Sequence, residues 1–61
     1  MKFYNWEATF EYMGEHWGAM IYNRENQPGE FEFLQVLRER MSHRDYDPSK
    51  LRLLSIKKLN Y

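Results

Sequence analysis

The sequence predicts a single small α+β domain: a three-stranded, mainly antiparallel sheet of order 2-1-3 with one helix packed on one face. Three observations predict it. The first twelve residues alternate with a period of two, and a second strand-like run follows just after Gly14. An apolar stripe at helical spacing then precedes a last strand-like run. The connectivity is ββαβ over residues 1–61, with no linker, internal repeat or low-complexity stretch.

In the first strand Tyr4, Trp6, Ala8, Phe10 and Tyr12 fall on one face, and Asn5, Glu7, Thr9 and Glu11 on the other. Strict alternation over this length means a strand with one buried face. Gly14 supplies the positive φ that opens a type II′ loop at Gly14-Glu15. This loop sets Tyr12 opposite Trp17, Phe10 opposite Ala19 and Ala8 opposite Ile21, an apolar set on one side. Glu11, Thr9 and Glu7 then face Gly18, Met20 and Tyr22 on the other. A one-residue slip would mix the two faces, so the alternation supports the pairing.

The segment from Asn26 to Glu30 reads as a helix start. Pro28 suits the first turn, and Glu30 and Glu32 suit the positive end of the helix dipole. Phe33, Leu34, Leu37 and Met41 form one stripe, flanked by Phe31 and Val36. Arg38, Arg40, His43 and Arg44 gather where cations are favoured. The run Asp45-Tyr46-Asp47-Pro48-Ser49 ends the helix, because a residue before proline avoids helical geometry. Leu51 to Leu59 is the third strand, with Leu54 and Ile56 on one side and Leu51, Leu53 and Leu59 on the other. The helical link lets this strand cross over to lie antiparallel beside the first. The alternative places it parallel beside the second.

Composition bounds the function. Eleven aromatic residues offset the small size of the chain, since each buries a large area. With no cysteine there is no disulfide, thiolate metal site or cysteine nucleophile. No long apolar run is present, and Met1 leads directly into strand-like sequence. A cytoplasmic protein with no membrane span and no processed leader is expected. Net charge is zero but unevenly placed: residues 1–37 carry −4 and residues 38–61 carry +4. The simplest account is neutralisation across the folded sheet; the other is a basic binding patch.

No set of residues forms a catalytic kit. His16 and His43 share no paired spacing. The run from Asp45 resembles the start of a calcium loop, but Lys50 stands where such a loop needs glycine and Ile56 where it needs an acid. Glu7 and Glu11 share a polar strand face, solvated or paired with bases such as Lys57. Ser42, Ser49 and Ser55 lack a motif, and the three glycines form no phosphate loop. The expectation is a non-enzymatic protein with no cofactor and no metal.

Two binding readings remain. A three-stranded sheet with one helix leaves its second face bare, and Phe3, Met13, Met20 and Tyr22 are expected there as a protein interface. Its partner would be a larger protein or a second copy. The edge of the second strand also offers backbone groups for strand addition. The alternative is a small nucleic-acid-binding regulator using Arg40, Arg44, Arg52, Lys57 and Lys58, although Glu7 and Glu11 would repel phosphate on that face. No motif carries a known family. In size, completeness and lack of catalytic residues, the chain is similar to small phage-encoded proteins that bind and disable a host enzyme or defence complex. That similarity implies an inhibitor that occludes a host protein in the host cytoplasm.

Overall fold

The computed structural model describes residues 2–42 and 47–59. They form β1 (Tyr4–Tyr12), β2 (Glu15–Arg24), α1 (Glu30–Arg40), a short 3-10 turn (Pro48–Lys50) and β3 (Leu51–Leu59). Both pairings are antiparallel and the order is β2-β1-β3, as expected. The predicted alternation of β1 is seen residue by residue. Trp6, Ala8, Phe10 and Tyr12 are buried on the inner face, with Ala19 of β2 and with Phe33, Leu37 and Met41 of the helical segment. Among the described residues, no helix is long and apolar enough to cross a membrane.

The hairpin loop lies one residue earlier than the sequence suggests, which shifts the pairing by two residues. Tyr12 pairs with Glu15, Phe10 with Trp17, Ala8 with Ala19 and Trp6 with Ile21. The loop is Met13-Gly14, with φ of 50° and 83°. Positive φ at both central positions is the type I′ arrangement, whose twist matches that of the flanking strands. A slip of two residues keeps every side chain on its face, so alternation alone could not separate the two registers.

Each edge strand contains a bulge. Between the Trp6–Ile21 and Tyr4–Arg24 pairs, Tyr22 and Asn23 stand against Asn5 alone. Asn23 takes φ 58°, and its N–H donates to Asn5 Oδ1 at 3.4 Å. The extra residue reverses the alternation, so Arg24 shares the inner side with Tyr4. In β3 the extra residue is Leu54, between the Phe10–Leu53 and Thr9–Ser55 pairs. Leu51, Leu53 and Ile56 therefore all lie opposite inward-facing residues of β1. This corrects the expected split that set Leu51 and Leu53 against Ile56. Leu54 is left outside with 42% of its surface exposed.

The helix begins one residue after Gly29, so Pro28 lies before the cap, buried, rather than in the first turn. Glycine has no hydroxyl to cap the helix. Instead Glu32 Oε2 accepts from the Gly29 N–H at 3.2 Å, which closes half of a capping box. Glu32 Oε1 also meets Arg24 of β2 at 2.5 Å. At the other end, Arg40 donates to the Gly18 carbonyl of β2, and its guanidinium lies 5.9 Å from the Trp17 ring centre. The helix is thus fastened at both ends to β2. After the helix, Asp47 caps the 3-10 turn through Ser49, and its N–H donates to Tyr12 Oη at 2.8 Å.

Two predictions follow from the turn and the cap. Met13 holds a left-handed conformation that costs an ordinary residue on the order of 1 kcal/mol. Met13→Asn creates the favoured Asn-Gly pair and should raise stability by about 0.5–1 kcal/mol, read from the urea midpoint. The Gly29 N–H, then Arg24, hold the Glu32 carboxyl below its ordinary value of 4.5. A carboxyl shifted down when folded stabilises the fold above its unfolded pKa and loses that contribution as pH falls through the folded value. The wild-type midpoint should therefore drop on acidification from about pH 6 to about pH 3, and Glu32→Gln should drop less. Equal losses in the two proteins would rule out this role for Glu32.

Candidate functional site

Of the four residues expected as one patch, Met13 is set apart from Met20 and Tyr22. Met13 sits at the hairpin tip, 66% exposed. Phe3 and Tyr22, each 59% exposed, lie at the opposite end of the strands. Met20 is half-buried opposite Glu7. Six residues separate Glu7 from Met13, which is on the order of 20 Å along a strand. Between these ends the outer face is polar. Thr9 lies between Gly18 and Ser55, Glu7 lies beside Lys57, and Arg52 meets Glu11 Oε1 at 2.9 Å. Leu54, pushed out by its bulge, is the one large apolar residue that β3 exposes there.

The expected basic set is dispersed as well. Arg40 is committed to Gly18 and Trp17 at the edge of β2. Arg52 is paired with Glu11 on the outer face. Lys57 shares that face, opposite Glu7, but Lys58 lies opposite Trp6 on the inner side, with Nζ 4.4 Å from the Tyr4 ring centre. Arg44 falls outside the described residues, as do His43 and Asp45. Among the described residues no group of three or more His, Asp or Glu side chains could hold a metal.

A different surface emerges from the way the helix is held. Arg24 and Arg40 anchor α1 over the β2 side of the sheet. The inner face of β3 is then only partly covered, and Leu51, Leu53 and Ile56 are all half-buried. Between α1 and β3 lies a groove of about 590 Å³. Phe10 forms part of its lining from β1, Leu51 and Leu53 from β3, and Phe31, Leu34 and Arg38 from the helix. Glu30 lines the groove near the start of the helix and Pro48 lines it from the 3-10 turn. Phe31 is the most exposed large apolar residue described, at 81%. A smaller depression along β2, of about 460 Å³, is lined in part by Arg24 and Glu32, which are already paired.

In the sequence Phe31 stands only as a flank of the apolar stripe. Its signal was available. Two residues before Phe33 on a helix is a rotation of about 200°, so Phe31 cannot share the buried face of Phe33. The groove itself was not legible, because it depends on which side of the sheet the helix is fastened to.

Comparison with known proteins adds no functional information: no family model matches the chain, and no curated protein or solved structure matches it. The geometry therefore carries the functional argument.

An aromatic ring kept in water for binding contributes little to folding. Phe31→Ser should shift the unfolding free energy by no more than about 0.5 kcal/mol, against about 3–5 kcal/mol for Phe33→Ala. Urea titrations followed by tryptophan fluorescence compare the two. A large loss in Phe31→Ser would make Phe31 a packing residue and not a surface anchor.

Proposed function

We propose that the protein is a non-enzymatic protein-binding module that takes an apolar segment of its partner into the groove between α1 and β3. The observation that carries this reading is Phe31, 81% exposed on the rim of an apolar groove. Aromatic anchors beside a concave apolar surface supply much of the energy of protein interfaces. The polar groups of the lining, Glu30, Gln35 and Arg38, all belong to the helix, and its other side chains are apolar. This pattern orients a docked segment and excludes water from it. Its one carboxylate, Glu30, has no histidine, serine or lysine beside it in the lining to act as a catalytic partner. In this reading binding acts by occlusion, in the cytoplasm, and the chain inhibits the protein whose surface it covers.

The outer sheet face supports an interface less well, because its centre holds Glu7, Glu11, Arg52 and Lys57. Burying such charges costs more than burying the groove. Nucleic-acid binding is weakened by the same arrangement: Arg52 is neutralised by Glu11, and Lys58 lies on the opposite side of the sheet from Lys57.

The test uses peptides selected from a random displayed library on the immobilised protein. Their binding is mapped by amide shift changes and compared with a single-stranded oligonucleotide at low salt. Peptides should perturb Phe31, Leu34, Leu51 and Leu53, and Phe31→Ser should weaken them at least about tenfold. Peptide shifts centred on Thr9 and Ser55, or tight oligonucleotide binding at Arg52 and Lys57, would overturn the reading.

A further inference from the structure

The groove is flanked by opposite charges at two heights on one helix. Glu30 opens α1 and Arg38 lies in its last turn, eight residues on, or about 12 Å along the axis. Between them stand Phe31 and Leu34. Among the described residues, neither Glu30 nor Arg38 makes an ion pair or side-chain hydrogen bond. Such a stripe is self-complementary. When an identical helix is laid antiparallel against it about a two-fold axis near Leu34, acid meets base at both ends. Each Phe31 then faces the other copy's groove.

We infer that a second copy of this chain occupies the groove, through an antiparallel contact of α1 with α1; the inference rests on the docking reading above. Arg38 of the second copy reaches the Phe31 ring and the Glu30 carboxylate together. This places a guanidinium on an aromatic face and beside an acid, both favourable. The contact is made twice by symmetry. Nine basic and nine acidic residues leave no net charge to hold two copies apart.

Other surfaces fit a second copy less well. Pairing of two β3 edges about Ser55 would set Arg52 against Lys58 twice, and the Leu54 bulge interrupts the edge. The β2 edge has its Gly18 carbonyl claimed by Arg40. The outer face would bury Glu7, Glu11, Arg52 and Lys57 together.

Charge reversal separates this interface from any other. Sedimentation velocity over a roughly thousandfold range of concentration should show the mass rising from 7.6 kDa to twice that value. Glu30→Arg alone and Arg38→Glu alone should each weaken association at least about tenfold, since each homodimer then opposes like charges twice. An equimolar mixture of the two variants should recover it to within about threefold of wild type, because both pairs are then opposite. This recovery needs both proteins folded and cannot arise from a structural defect in either. A mass fixed at 7.6 kDa, with selected peptides still lost in Phe31→Ser, overturns the second copy and leaves the docking reading standing. Dimerisation that the mixture does not recover overturns the α1–α1 geometry. A fixed mass with no peptide at the groove overturns both.

Discussion

The central strand β1 is the constraint from which the rest of the structure follows. Its inner residues Trp6, Ala8, Phe10 and Tyr12 are buried between two antiparallel neighbours and beneath a helix. Both edge strands must match its alternation to contribute to the core, and neither could do so along its full length with a regular ladder. Each inserts one residue where its own sequence would fall out of phase. At Tyr22–Asn23 the insertion brings Arg24 round to the helix. At Leu54 it brings Leu51 and Leu53 onto the same side as Ile56. A bulge is the least costly way to change the phase of a strand without breaking its pairing.

The position of the helix is the second consequence. Ala8 and Ala19 are paired and fully buried in the core that Phe33, Leu37 and Met41 also occupy. Small residues there let a helix approach the sheet closely. Arg24 near one helix end and Arg40 at the other then tie α1 to β2. A single helix so placed covers one side of a three-stranded sheet better than the other. The groove beside β3 is the space that remains, and Phe31 stands at its rim because the helical period turns it away from Phe33.

Much of this was legible in the sequence, for identifiable reasons. The alternation from Tyr4 to Tyr12 is long and strict, so the strand and its buried face could be read directly. The stripe Phe33, Leu37, Met41 gave the helix and its inner side. The hairpin register could not be read, because a shift of two residues preserves the facing pattern and Met13 gives no hint of the left-handed conformation it adopts. The Leu54 bulge had a trace in the spacing, since Leu53 and Ile56 are three apart where a strand repeats every two. The functional surface was the least legible. The sequence pattern points to the bare face of the sheet, whereas the groove lies on the face that the helix is expected to close.

The long separation between β1 and β3 bears on how the molecule forms. The hairpin and the helix that follows it make contacts between segments close in sequence, whereas the Glu11–Arg52 contact spans 41 residues. Closing that loop costs chain entropy that the hairpin does not face. One wall of the groove belongs to β3, whose pairing closes this long loop, while the other is fixed by the two arginine tethers. A ligand in the groove touches both walls at once, so its binding free energy adds to what holds β3 on the sheet.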